Sequence, residues 1–352
     1  MKPAEQIRYW VNRTRDILRV QQKSYSTEKD YCGWLTRYFA FTTRLAKGFT
    51  HEQKAEKFLT HLALDCNVSD ATQSSAFFAI LFFYKHVIRK PLENVDSFRA
   101  TRSQHIRTAP TVSNTHRLLE ALPDVSGYPT NFIGRILYSR GLRVCEPLNW
   151  RMKDVQFEGR KLFIMAGKGK KDRVVHLDDW MVQPLQRQMV AALLVWESDV
   201  RNGVPLEIPN QLSKKYPDSR FSKHWAWVFP GKHPCKHPRT GEIVRFHMHP
   251  CYVQRAFKTA SQRTGVLAIP HQMRHAHATH LLESNMASVS ALQAEMGHVD
   301  PRTTLGYCHG EALGVPDPSI LAHRDSIITL EPIIPNMLGN RIPFPRLEYQ
   351  NP

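Results

Sequence analysis

Four blocks of apolar residues recur at helical spacing through roughly the first 90 residues, and this patterning most limits what the chain can become, because a 3.6-residue period does not suit a sheet. Ile7, Trp10, Val11, Ile17 and Leu18 mark a first helix. Ser26, as N-cap, opens a second through Tyr31, Trp34, Leu35, Tyr38 and Phe39. Thr50 and Gln53 have the spacing of a capping box ahead of Ala55, Phe58, Leu59, Leu62 and Ala63. A fourth helix after Asp70 carries Ala76, Phe77, Ile80, Leu81 and Tyr84. These stripes read as helix-packing core, and nothing in the stretch alternates as a strand does.

Between Ser97 and Leu119 there is no acidic residue, while Arg99, Arg102, Arg107 and Arg117 all fall there and Pro110 breaks any continuous helix. Residues 101–112 therefore read as a basic linker, either a solvated connector or a strip that lies against a phosphate backbone. Helical pattern resumes near Asn114–Leu122 and Asn131–Ser139. A three-stranded meander follows over Asp154–Phe157, Lys161–Met165 and Arg173–Leu177, turned by Glu158-Gly159-Arg160 and by Gly167-Lys168-Gly169-Lys170. Lys168, Lys170, Lys171 and Arg173 at the second turn make either a solvated loop or a finger that carries an ammonium to a phosphate. Residues 198–251 are rich in Pro, His and aromatics, with Trp225, Trp227 and Phe229 alternating as strand residues do. Helical pattern returns at Cys251 and at Ser288–Met296, and five prolines within Glu331–Pro352 predict a tail too broken for a packed element.

The 352 residues carry 48 Lys+Arg against 31 Asp+Glu, a formal charge of +17. Such an excess points to an anionic partner, nucleic acid first, because each neutralised phosphate releases counterions; an ordinary basic enzyme is the alternative. No apolar run approaches the ~20 residues of a membrane helix, and no hydrophobic signal segment follows Met1. Six scattered cysteines fit a reducing compartment. A soluble cytoplasmic protein with no membrane partner is expected.

Three segments carry the chemistry: Gly141-Leu142-Arg143-Val144-Cys145-Glu146, Pro270-His271-Gln272-Met273-Arg274-His275, and Met296-Gly297-His298 with Tyr307 nine positions further on. In that order, with Lys168 between the first two, they resemble the active-site motifs of the tyrosine recombinase (phage integrase) family. The resemblance implies that Arg143, Lys168, His271, Arg274, His298 and Tyr307 are catalytic. It also implies a mainly α fold with a small antiparallel β-sheet, arranged as a two-domain C-shaped clamp. A helical SAM-like core-binding domain occupies 1–100, the linker 101–112, and the catalytic domain 113–315. A C-terminal segment, 316–352, docks on a neighbouring subunit and is partly disordered.

The residue types suit the chemistry the resemblance implies. Attack of a phenol on a phosphodiester needs cations for the pentacoordinate charge and an acid for the leaving 5′-oxygen. Tyr307 forms a 3′-phosphotyrosyl ester, Arg143 and Arg274 fork onto the non-bridging oxygens, Lys168 protonates the 5′-hydroxyl, and His271 and His298 assist proton transfer. No cofactor, metal or nucleotide is required, and the ester conserves bond energy for rejoining to a second strand.

The segment over about 198–250 resembles the insertion of integron integrases. That resemblance implies gene-cassette exchange between a duplex attachment site and folded single-stranded sites, within a homotetramer on DNA. Trp225, Trp227 and His247 are then candidates to stack on extruded bases, with packing in the core as their ordinary alternative. Arg99, Arg102, Arg107, Lys170, Lys171 and Arg173 are expected to contact the DNA backbone. Two rival functions stand beside this reading: a phage or Xer-type recombinase confined to duplex sites, and a DNA-binding relative with impaired catalysis, suggested by Pro147 after Glu146. A third alternative is a metal-dependent nuclease built on zinc held by His233-x-Cys235-x-His237 and His247-x-His249-x-Cys251, which period-two spacing on paired strands would gather on one face.

Overall fold

Capping chemistry sets where the helices of the N-terminal unit begin. The computed structural model describes residues 2–97, 100, 109–165 and 172–297, and the chain divides into two units, Met1–Arg107 and Thr108–Pro352. Helix α1 spans Pro3–Val20, with proline in the first turn where its missing N–H leaves no bond unmade. Helix α2 spans Tyr25–Thr42, and its cap is Ser24 rather than Ser26: Ser24 is extended (φ −61°, ψ 154°), and its hydroxyl accepts from the Thr27 amide at 3.1 Å. Ser26 lies inside the helix, where a hydroxyl cannot serve that amide.

Helix α3 spans His51–Leu64 and opens on a reciprocal box, Thr50 Oγ1 accepting from Gln53 N at 3.2 Å and Gln53 Oε1 from Thr50 N at 3.0 Å. Helix α4, Asp70–Phe82, is capped by Ser69 and runs into a π-helical turn over Phe83–Ile88. The change of pitch buries Phe82, Phe83 and Tyr84 in succession, which a 3.6-residue period would not do. Leu18, Leu35, Leu59, Leu62 and Ile80 are fully enclosed, each contributing roughly 1.5–3 kcal/mol. Inside this core the Tyr38 and Tyr84 hydroxyls are 2.9 Å apart, so each phenol has a polar partner.

The second unit begins with α5 (Val112–Glu120) and α6 (Thr130–Ser139), followed by the short α7 (Cys145–Leu148). An antiparallel meander follows in the order β1 (Val155–Gln156), β2 (Lys161–Ile164) and β3 (Arg173–His176), with Leu162 opposite both Val155 and Val175. The strands are shorter than expected. Asp154 closes a 3-10 turn by accepting from the Arg151 amide at 2.9 Å, and Phe157 begins the next turn by accepting from Arg160 N at 3.2 Å. Helix α8 spans Asp179–Arg201, α9 Asn210–Lys215, and a small hairpin pairs β4 (Cys235–Lys236) with β5 (Ile243–Val244). Helices α10 (Cys251–Thr264), α11 (Pro270–Glu283) and α12 (Val289–Met296) complete the described part.

One core runs from Ile133, Ile136 and Leu137 of α6 through Leu162 and Val175 of the sheet to Phe257 and Met273 of α10 and α11. Among the described residues no helix is long and apolar enough to cross a membrane.

The segment between α8 and α10 departs from its expected strand character. Trp225 closes a 3-10 turn, while Trp227 pairs with Arg151 and Pro230 with His247 through isolated bridges. The segment is tied to α8 by a buried ion pair, Arg245 to Asp199 at 2.6 and 2.5 Å, while Arg245 Nη1 donates to the Gly231 carbonyl at 2.8 Å.

Candidate active site

Gly141 determines the path of the loop that carries Arg143. Its φ is +56°, and a Cβ there would lie 2.6 Å from His277 Cδ2 on α11, so only glycine allows both the turn and the close approach of the helix. Two residues on, the Arg143 amide and guanidinium both donate to Glu146, at 2.8 and 3.0 Å. Pro147 occupies the first turn of α7, where an N–H needs no helical partner, so it leaves this loop intact.

Glu146 also receives Arg173 as a two-pronged fork at 3.0 and 2.8 Å. Burial alone would raise the Glu146 carboxyl, but the Arg173 fork and the Arg143 hydrogen bonds outweigh it and hold the group below its ordinary value. Arg173 Nε continues to the Glu295 carbonyl at 2.8 Å, at the end of α12. The next carbonyl, Met296, accepts from Arg274 Nη2 at 2.6 Å, and Arg274 Nη1 donates to the Gly141 carbonyl at 2.6 Å. The contacts form a closed circuit: the Arg143 loop, Glu146, Arg173, the end of α12, Arg274, and back to Gly141.

The circuit satisfies carbonyls that a helix end leaves open, with cations where the helix dipole favours them. Arg140 adds a third guanidinium at the end of α12, donating to Glu295 at 3.4 Å while also pairing with Asp178. Gly297 ends α12 in the left-handed conformation, φ +63°, and a Cβ there would come within 3.2 Å of Arg173 Cδ. The end of α12 is therefore held by Arg173 and Arg274 together.

His271 lies on the first turn of α11, three residues before Arg274. It is exposed, with its ring edge-on to His275 at 4.9 Å. Gln272 closes the helix start by accepting from the Ile269 amide at 2.8 Å. Further along α11, His280 is buried, its Nε2 2.9 Å from the Pro110 carbonyl and its Nδ1 2.9 Å from the Tyr138 hydroxyl. The carbonyl can only accept, so Nε2 carries the proton and Nδ1 accepts from the phenol. Burial, only partly offset by the Pro110 bond, pushes this imidazole below its ordinary value and favours the neutral form.

The structure thus brings Arg143 and Arg274 into one network and places His271 on the same helix as Arg274. Lys168, His298 and Tyr307 lie outside the described residues, as do Lys170, Lys171, Arg99, Arg102, Arg107 and the 316–352 segment.

Two expected DNA contacts are corrected. Arg173 is spent on Glu146 and Glu295, its side chain only 11% exposed, so it clips α12 to the Arg143 loop. Trp227 is 4% exposed, with Arg151 over its face and its indole N–H on the Arg245 carbonyl at 3.0 Å, which leaves no face for a base. Trp225 is half-buried beside Lys153, and His247 packs edge-on to Trp227 with Nδ1 2.7 Å from the Met248 carbonyl.

The alternative His/Cys gathering has no geometric basis. The hairpin is two pairs long and sets Val244 opposite Cys235, while His237 Nδ1 accepts from the Arg239 and Thr240 amides. Among the described residues no three His, Cys, Asp or Glu side chains converge as a metal site. Glu146 has the central position that sequence reasoning left without a role; its spacing three residues after Arg143 was the available signal.

Comparison with known proteins gives the family. Residues 111–312 match the phage integrase family, and residues 10–94 match the phage integrase N-terminal SAM-like domain. An integrase/recombinase from Escherichia coli is 32% identical over 304 residues, covering 85% of this chain and 88% of that protein. Tyrosine recombinase XerD of Agrobacterium fabrum is 26% identical, covering 76% of this chain and 80% of that protein. A lambda integrase dimer bound to a COC′ core site shares the fold, with a TM-score of 0.55 at 13% identity over 87% of this chain and 96% of that one. The Tn1549 transposon integrase in complex with transposon right end DNA gives 0.54 at 16%, covering 86% and 95%. The chain belongs to the phage integrase family and is a tyrosine site-specific recombinase.

Proposed function

We propose that this recombinase is of the integron type, exchanging gene cassettes between a duplex attachment site and folded single-stranded sites, as a homotetramer on DNA in the cytoplasm. The supporting observation is the segment pinned by Arg245 to Asp199. It exposes Tyr216 at 52% and Phe221 at 39% among the exposed lysines Lys214, Lys215 and Lys223, an aromatic and cationic surface suited to unstacked bases.

In the reaction, the Tyr307 oxygen attacks phosphorus and forms the 3′-phosphotyrosyl ester. Arg143 meets the non-bridging oxygens, Arg274, buried with Nη1 and Nη2 on carbonyls, supports them as a fixed positive charge, and the circuit through Glu146 and Arg173 keeps the Arg143 loop in place before DNA arrives. His271 and His298 take up the Tyr307 phenol proton and supply hydrogen bonds, and the departing 5′-oxygen takes its proton from Lys168. Attack by a 5′-hydroxyl from a second site reverses the step and completes the exchange.

The test is covalent capture on nicked suicide substrates in EDTA, with intact protein and Tyr307→Phe resolved on a denaturing gel. An adduct on folded single-stranded sites in preference to their duplexes, lost in the variant, is the expected result. Capture on duplex sites alone would assign the chain to the duplex-restricted class, and no adduct on any bound substrate would mark an impaired relative.

A further inference from the structure

The end of α3 carries a nucleophile, a base and an orienting carboxylate in hydrogen-bond order, apart from the residues assigned to recombination. His61 and Asp65 stand one helical turn apart, with Nδ1 2.6 Å from Asp65 Oδ2. A carboxylate accepts from Nδ1–H, which leaves the lone pair on Nε2. Nε2 lies 3.5 Å from Cys66 Sγ.

The turn that ends the helix produces this contact. Cys66 N donates to the His61 carbonyl and Val68 N to the Leu62 carbonyl, both at 3.1 Å, while Asn67 is left-handed at φ 45°. The chain folds back, and the sulfur returns to the imidazole. Phe41 stacks on the His61 ring at 4.9 Å with 22° between planes, holding its orientation. Cys66 is exposed. His61 and Asp65 also wall an open groove of about 670 Å³ whose apolar lining is Phe41, Leu45, Phe49 and Leu64.

We propose that Cys66, His61 and Asp65 form a thiol-exchange site that takes small disulfides, whose body lies in the adjoining groove, and that Cys66 is a point of reversible modification on the N-terminal unit. His61 Nε2 takes the Sγ–H proton, and Sγ bonds to one sulfur of the disulfide. The S–S electron pair leaves on the other sulfur, which recovers the proton from His61. A mixed disulfide and one free thiol result, and the disulfide is the only oxidant required.

The experiment treats the full-length protein with oxidised glutathione and follows each cysteine by peptide mass spectrometry, with exposed Cys235 as internal reference and buried Cys32 as a reporter of folding. Cys66 is expected to react about tenfold faster than Cys235, and His61→Gln to bring it to the Cys235 rate without changing Cys235. Equal rates in the unaltered protein, or an undiminished Cys66 rate in His61→Gln, would overturn the proposal. If His61→Gln exposes Cys32, the comparison passes to Asp65→Asn, whose side chain is 69% exposed: a slower Cys66 supports the site, and an unchanged one removes it.

Discussion

Arg274 and Gly141 are joined by a 2.6 Å hydrogen bond from guanidinium Nη1 to a carbonyl oxygen, across 133 positions of sequence. The bond ties α11 to the loop that aims Arg143, and the same guanidinium holds the last carbonyl of α12. A charged donor that bridges two loops ahead of substrate makes an organised site at little later cost in ordering.

Replacing Gly141 by alanine should show how much that loop matters. The left-handed backbone and the contact with His277 together predict a loss of about 2 kcal/mol or more. Covalent capture should fall further than stability does, because Arg143 moves with the loop. Thermal unfolding and suicide-substrate capture on the same preparation check both; a variant with normal capture would show that the loop tolerates displacement.

Arg173→Ala separates a clip from a DNA contact. The expected outcome is a stability loss of about 2 kcal/mol and weak strand cleavage, since Glu146 loses its fork and α12 its anchor. The salt dependence of DNA binding should not change. A slope shallower by about 0.9 would instead mark a lost phosphate contact.

Acid should weaken the second unit in two stages. His280 is depressed below its ordinary value of 6.5, so the unfolded chain takes up a proton that the folded one resists, and stability falls as pH drops below that value. Glu146 is also depressed; its contribution is present above its ordinary value of 4.5 and is lost as pH falls through the lowered one. Chemical denaturation of intact protein and His280→Asn at pH values from about 5 to 8 tests the first stage, and the variant should show a flatter profile.

Breaking the anchor between α8 and the following segment should be costly. Arg245→Ala strands the buried Asp199 carboxylate and is expected to cost about 3–5 kcal/mol, with the double variant Arg245→Met, Asp199→Leu recovering much of it. Urea unfolding midpoints of the two variants measure the difference.

Trp227→Ala should cost about 3–5 kcal/mol through the cavity it leaves. Tyr216→Ala should leave stability nearly unchanged and weaken binding of single-stranded DNA by about 1–3 kcal/mol. The comparison of the two, by thermal unfolding and by fluorescence anisotropy with a folded single strand, tests which aromatics face bases.

The four N-terminal helices, the three-stranded meander and the order of the motif residues were all legible in the sequence. Apolar period, capping pairs and glycine turns act over only a few residues, so their signal survives without tertiary context. The Ser24 cap and the π-helical turn were missed because neighbouring serines and a slipped pitch look alike in one dimension, and only the packing of Phe82, Phe83 and Tyr84 distinguishes them. Arg173 read as a DNA contact because a guanidinium beside three lysines at a turn is ordinarily solvated; its partners, Glu146 and Glu295, come from distant parts of the chain. Trp227 read as a base platform for the same reason, before Arg151 covered its face. Local residue patterns specify the four N-terminal helices, the meander and the candidate chemistry, whereas the long helix α8 went unread. The tertiary structure alone decided which cations are spent on carboxylates and carbonyls within the protein, because pairing depends on distance in space, which long loops do not record.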